Sequence, residues 1–382
     1  MDFQWVDNDR QLADLCVHWA QQLAVAIDTE FMRSRTFYPQ LGLLQIADAH
    51  CIYLIDPLSI NDTSVFAQFL ANPDVVKVIH SCSEDLDVLH YFFGAYPVGL
   101  FDTQLAAAFA GYGSSIGYAN LLKAVLDIDI PKQETRSDWL QRPLSDAQLS
   151  YAALDVKYLL AIYIKIRQQL TRDDRLEWVE EDCRALLDKA VQSQLMDDYY
   201  LRIRALWKLD RQQLAVLKRL SLWREQQARA CDVPRNRFLK EGVLWDIAAR
   251  APQTLKQLKK IREFPTSLLA QEAETILGLI REVHNQDTDT YPGTMPRPLT
   301  VSQGEVLKVL KGHVAAIAEQ LQLPPEVLIK KKDYEHLARM SHCPGQAVLP
   351  VGLQGWRDAI VGQPLLALLQ QYAQQHPQQH PQ

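Results

Sequence analysis

No two cysteines stand at CxxC spacing: the six, at positions 16, 51, 82, 183, 231 and 343, are scattered along the chain. Such spacing offers neither a zinc site nor a disulfide framework, and it suits a reducing cytosol. Long apolar runs are missing too, since none approaches the roughly 18–20 residues that cross a bilayer as a helix. The opening Met-Asp-Phe-Gln-Trp-Val-Asp is acidic and lacks the basic and apolar regions of a secretory signal. Low-complexity sequence is confined to the final Gln-Gln-His-Pro-Gln-Gln-His-Pro-Gln. There a frayed terminus is a simpler reading than metal binding by His376 and His380. These absences set aside membrane-spanning, disulfide-rich and zinc-finger classes, and the expectation is a cytoplasmic protein.

What is present is a globular composition, 48% hydrophobic and 23% charged, in 382 residues. That length exceeds one ordinary core, so two or three domains are expected. The net charge of −6 is unevenly distributed. Residues 1–170 carry 11 Lys and Arg against 20 Asp and Glu, a net of −9. Residues 209–262 carry 13 against 5, a net of +8, and residues 291–382 carry 8 against 6. An acidic segment beside a basic one suits a metal-binding catalytic module next to a polyanion-binding module. Ordinary solvated charge remains the plain alternative.

The first 170 residues read as α/β. Short apolar runs at Leu23–Asp28, Leu43–Ala47, Cys51–Ile55 and Val75–His80 have strand character. Helical patterns fall at about 8–20, 63–71, 84–93, 103–110, 117–126 and 145–170. No convincing strand follows. Residues 171–208 read as a helical connector, and 209–290 and 291–382 as two helical blocks. The Pro- and Gly-containing stretch that begins at Asn285 reads as the linker between these blocks.

Acids recur at suggestive places. Asp28-Thr-Glu30 sits where an apolar run ends, and alternation puts both carboxylates on one face of a strand. Two anions so placed repel each other unless a cation lies between them; a strand end reaching solvent explains an isolated pair equally well. Asp85 lies in Ser83-Glu-Asp-Leu-Asp-Val-Leu, a helix start with a Ser cap and acids in its first turn. Capping alone accounts for Glu84 and Asp87. Tyr151 and Asp155 stand four residues apart on a helix opened by Ser145, with small Ala152 and Ala153 between them. A tyrosine packed beside a solvated aspartate is the bland reading of that pair. Taken together, four carboxylates and a tyrosine suit hard cations, Mg²⁺ or Mn²⁺. Two ions about 4 Å apart would activate water and stabilise the leaving oxygen of a phosphodiester.

Three motifs carry a resemblance: Ile27-Asp-Thr-Glu-Phe31, His80-Ser-Cys-Ser-Glu-Asp-Leu86 and Tyr151-Ala-Ala-Leu-Asp155. Supporting text lies at Arg35–Gln45, Phe101–Leu105 and Ser137–Leu144. The chain resembles the DEDD superfamily of 3′–5′ exonucleases in its tyrosine-containing branch, over nearly its whole length, and within it the bacterial members that act on RNA. The resemblance implies a ribonuclease H-like α/β exonuclease domain followed by two all-α HRDC-type domains. It implies Asp28, Glu30, Asp85 and Asp155 as metal ligands and Tyr151 as the residue that positions the nucleophile. It further implies hydrolysis of RNA from the 3′ end to nucleoside 5′-monophosphates, with tRNA precursors as substrates. Gln45, His80, Asp102 and Arg142 lie in family-like text as candidates to face the RNA.

Block 209–290 is similar to the HRDC domain, a small helical bundle that commonly binds nucleic acid. Its Lys218, Arg219, Arg224, Arg235 and Arg237 are candidate phosphate contacts, with Arg229, Lys256, Lys259 and Lys260 adding charge. Block 291–382 repeats the plan weakly as a degenerate, near-neutral HRDC-like domain. Two rivals stand beside this reading: a DNA 3′–5′ exonuclease and a non-catalytic nucleic-acid-binding scaffold.

Overall fold

The computed structural model describes residues 2–130, 137–341 and 348–375. In chain order the first unit runs β1 (Gln4–Val6), α1 (Asp9–Trp19), β2 (Ala24–Met32), β3 (Gln40–Ala47), β4 (Ile52–Ile55), α2 (Ser64–Ala71), β5 (Val76–Ile79), α3 (Ser83–Phe93) and β6 (Leu100–Asp102). It continues with α4 (Thr103–Phe109), α5 (Tyr118–Leu126), α6 (Asp146–Lys157), α7 (Leu159–Arg172) and α8 (Leu176–Ser193). The six strands lie in the order β1-β4-β3-β2-β5-β6. β2 and β4 pair antiparallel with β3, and the other ladders are parallel.

Strand alternation divides the core into two layers. Val25, Ile27, Leu44, Ile46 and Ile55 join the layer that contains Leu12 and Trp19 of α1, Phe66 of α2 and Leu89 of α3. Ala26, Leu43, Ala47, Leu54 and Val78 join the other, with Ala106 and Ala107 of α4, Ala152 and Ala153 of α6 and Ile162 of α7. Asp28 and Glu30 keep the phase of Ala26, so they project into this second layer.

The sequence reading located β2 to β5 and missed β1 and β6, whose three residues are too few for a periodic signal. β2 also runs on to Met32, so Asp28 and Glu30 lie within the strand and not at its exit. The helix expected over 145–170 is two helices, interrupted at Tyr158 with φ −108° and ψ 0°. Ser145 does open the first of them, with a full capping box to Gln148. Ser83, by contrast, is the first helical residue of α3, and Cys82 occupies the cap without a side-chain bond.

The chain forms two compact units. The first holds residues up to Met32, Gln40–Ala190 and the chain from Leu299 onward; the second holds Arg33–Pro39 and Val191–Pro298. Helices α9 (Arg211–Ala230), α10 (Arg235–Phe238), α11 (Glu241–Arg250), α12 (Leu255–Leu258) and α13 (Thr266–His284) build the second unit around Leu217, Leu220, Leu244 and Ile276. Arg33–Pro39, the link from β2 to β3, is part of that unit: the Asp232 carboxylate accepts from the Phe37 and Tyr38 amides at 2.9 and 3.0 Å.

The last block, α14 (Val301–Leu321), α15 (Pro325–Leu328), α16 (Lys331–Met340) and α17 (Gln363–Gln375), falls in the first unit and forms no separate one. Trp356 stacks on Trp178 of α8 at 4.6 Å, and both Arg357 Nη atoms donate to the Asp182 carboxylate at 2.6 Å. Arg175 adds a bond to the Leu321 carbonyl. No helix among the described residues is long and apolar enough to cross a membrane.

Candidate active site

β2 and α6 bring three carboxylates together. Asp28, Glu30 and Asp155 each offer an oxygen, and these oxygens lie within 4.8 Å of one another. The approach depends on small side chains: Ala152 and Ala153, both fully buried, let α6 pack closely on the sheet. One helical turn before Asp155, the Tyr151 hydroxyl sits beside its carboxylate, and the ring lies 6.1 Å from that of Trp139. Asp85 reaches the same region from α3 but stands outside the group of three. Thr29, on the opposite face of β2 from Asp28, donates its hydroxyl to Asp85 at 2.5 Å.

Burial and mutual repulsion dominate the electrostatics. Burial first, then the charges of Asp85, Asp155 and Glu30, hold Asp28 well above the usual carboxylate range. Burial, Asp155 and Asp85 push Glu30 up to about 8. Burial lifts Asp155 to about 7 against the hydrogen bond from Tyr151, and Asp85 to about 6 against that from Thr29. Burial and the neighbouring carboxylates also raise the Tyr151 phenol, so it keeps its proton at neutral pH. A cluster of hard oxygens whose ionised forms repel one another is the environment that a divalent cation stabilises.

The other candidates are placed differently. Gln45 is fully buried and His80 half-buried, with its Nδ1 2.9 Å from the Thr103 hydroxyl. Asp102 is engaged in backbone work. Its carboxylate accepts from the amides of Ser81, Cys82, Gln104 and Leu105, capping α4 and tying down the turn before α3. Arg142 grips Asp56 with Nε and Nη2 and the carbonyls of Gly42, Trp139 and Gln141 with its remaining N–H groups. Neither Asp102 nor Arg142 is free to face RNA.

In the second unit Arg224 is 1% exposed and donates to the Leu239 carbonyl. Arg235 and Arg229 both bond to fully buried Glu225, and the Arg235 guanidinium lies 4.4 Å from the Phe37 ring centre. Arg219 pairs with Glu282, and Lys218 lies over the Tyr200 ring. Arg237, Lys256, Lys259 and Lys260 are exposed. Counting charge along the chain cannot separate these cases, because a buried arginine and a solvated lysine contribute equally. Sequence reasoning also passed over Thr29, which the alternation within Asp28-Thr-Glu30 already sends to the opposite face. It passed over Tyr118 as well, whose hydroxyl donates to the Leu154 carbonyl at 3.1 Å beside Asp155; no local pattern signals that bond.

Comparison with known proteins matches residues 3–171 to the 3′-5′ exonuclease family model and residues 213–280 to the HRDC domain, once. The chain is 42% identical over 369 residues to ribonuclease D of Pseudomonas paraeruginosa, covering 97% of this chain and 98% of that protein. It is 33% identical over 376 residues to ribonuclease D of Escherichia coli K12, covering 98% and 100%. The crystal structure of Escherichia coli RNase D, described as an exoribonuclease involved in structured RNA processing, superposes with a TM-score of 0.88 at 34% identity, covering 97% and 100% of the two chains.

Proposed function

The chain belongs to the ribonuclease D family, and from that premise we propose that it hydrolyses RNA from the 3′ end, releasing nucleoside 5′-monophosphates, with tRNA precursors as substrates. The observation that carries this reading is the group formed by Asp28, Glu30 and Asp155 with Tyr151 beside it, in a chain aligned end to end with ribonuclease D relatives.

Asp28, Glu30, Asp85 and Asp155 would hold two divalent cations, Mg²⁺ or Mn²⁺. Bound there, these cations supply a water of lowered pKa and charge neutralisation for the phosphodiester. The protein's own contribution is placement. β2 fixes Asp28 and Glu30 on one face, α6 adds Asp155 and Tyr151 at one helical turn, and Thr29 orients Asp85. Tyr151, one helical turn before Asp155, is placed to orient the attacking water by hydrogen bonding or to help deprotonate it. A free 3′ end must approach these carboxylates, so a 3′-phosphate is expected to slow the reaction by repulsion.

The test is digestion of 3′- and 5′-labelled RNA, and of matched DNA, with Mg²⁺, Mn²⁺ or EDTA. The reading requires metal-dependent loss of the 3′ label first and mononucleotide products. Faster cleavage of DNA would favour the deoxyribonuclease alternative, and no cleavage under any condition would favour a binding scaffold.

A further inference from the structure

Row by row, the face of the sheet under α6 is apolar: Leu43 and Ala47 on β3, Leu54 on β4, Ala26 on β2 and Val78 on β5. Gln45 interrupts it. The residue is fully buried, and both its amide nitrogen and its amide oxygen lack a hydrogen-bond partner. Each such unmade bond costs about 1–3 kcal/mol, so a leucine here would make the more stable fold. The register shows what lies next to it: Gln45 pairs with Asp28 across the β2–β3 ladder. Directly opposed residues of an antiparallel pair share a face, with Cβ atoms about 4.5–5.5 Å apart. Gln45 is therefore the immediate cross-strand neighbour of Asp28, on the side where Asp28 joins Glu30 and Asp155.

We propose that Gln45 is a positioning residue for the metal centre: its amide nitrogen, which makes no bond to Asp28 here, turns to donate to the ionised Asp28 carboxylate when a cation is bound, so that Asp28 is held as a ligand. A carboxylate beside an amide accepts without competition, because the amide nitrogen offers two donors and no acceptor. A hydrogen bond from a neighbouring group fixes a ligand's rotamer and its orientation toward the cation. The assignment replaces the RNA-facing role expected for Gln45, which a fully buried side chain cannot fill. It rests on the reading of Asp28, Glu30 and Asp155 as a metal centre.

The test measures Mn²⁺ and Mg²⁺ binding to the full-length protein by calorimetry, alongside the melting temperature in EDTA. Gln45→Met keeps length and apolar volume while removing the amide. It is expected to weaken metal binding about 10–100-fold while the metal-free protein melts at the same temperature or higher. If Gln45 were only structural, the metal-free melting temperature would fall and metal affinity would stay put. Should Gln45→Met fail to fold, Gln45→Asn carries the same readout, since its amide sits one methylene short of the carboxylate. Affinity within twofold of wild type in the variants that fold overturns the proposal. Wild-type protein that binds neither ion overturns the metal-centre reading itself, a separate outcome.

Discussion

Between its ordinary pKa and its raised value, a buried carboxyl group binds more protons in the folded chain than in the unfolded one. Folding stability therefore falls as pH climbs through that interval. Asp85, Asp155 and Glu30, raised to about 6, 7 and 8, place the interval from about 4, the usual carboxylate value, to about 8. In EDTA the melting temperature is expected to drop from pH 5.5 to 8.5. Mg²⁺ or Mn²⁺ should restore more of it at pH 8.5 than at 5.5, because a cation stabilises the ionised ligands. A flat profile in EDTA would show that the carboxylates are not destabilised as described. Asp28→Asn, Asp85→Asn and Asp155→Asn should each cost at least about 10²–10³ in rate. Their metal-free forms should melt no lower than wild type, because one repelling charge is gone. Tyr151→Phe should cost about 10²-fold; an unchanged pH–rate profile would assign the phenol to orienting the water, and a shifted one to acting as a base.

The β2–β3 hairpin shows how much of the site could be read in the sequence. Asp28, Glu30, Tyr151 and Asp155 were legible because each pair keeps the period of its element, two in a strand and four in a helix. The supports around them were not, because they come from distant segments. Between Glu30 and Phe31 the ladder slips, and Phe31 pairs with Leu41, leaving Gly42 over. A Cβ at Gly42 would lie 2.6 Å from the Trp139 carbonyl oxygen, so the loop beneath Tyr151 closes only on glycine. Arg142 then ties the Gly42 and Trp139 carbonyls to Asp56. These contacts span some hundred residues, which no local pattern encodes. Gly42→Ala is expected to destabilise by about 1–3 kcal/mol, the cost of overpacking. Arg142→Met should lower the melting temperature and kcat while leaving the salt dependence of RNA binding intact. If it instead flattens that dependence with stability unchanged, Arg142 touches phosphate after all.

At the scale of the whole chain, the charge blocks and the C-terminal helices need separating. From sequence alone, removing residues 209–382 takes away a basic RNA-binding block and a near-neutral one, and should leave chemistry on a short RNA nearly unchanged. The packing argues otherwise for the last block, whose Trp356 and Arg357 cover Trp178 and satisfy Asp182. Ending the chain at Pro298 would strip both partners, exposing a buried aromatic face and an uncompensated carboxylate. A shortened chain is therefore expected to melt lower and to lose activity even on a short single-stranded RNA. Point variants test RNA binding by the basic block more cleanly. Replacing exposed Arg237, Lys256, Lys259 and Lys260 with Gln should flatten the plot of log affinity against log salt by roughly 0.7 per lost phosphate contact on single-stranded RNA. Replacing buried Arg224 with Met should lower stability and leave that slope alone, since its guanidinium already serves the Leu239 carbonyl. Both variants are to be measured on one long structured RNA across a salt series, with kcat on a short oligonucleotide as the control. If the four-glutamine variant keeps the wild-type slope, the +8 segment is solvated surface. The helical unit would then have to act in another way, the best candidate being its hold on Arg33–Pro39, the link that follows Asp28 and Glu30 along the chain.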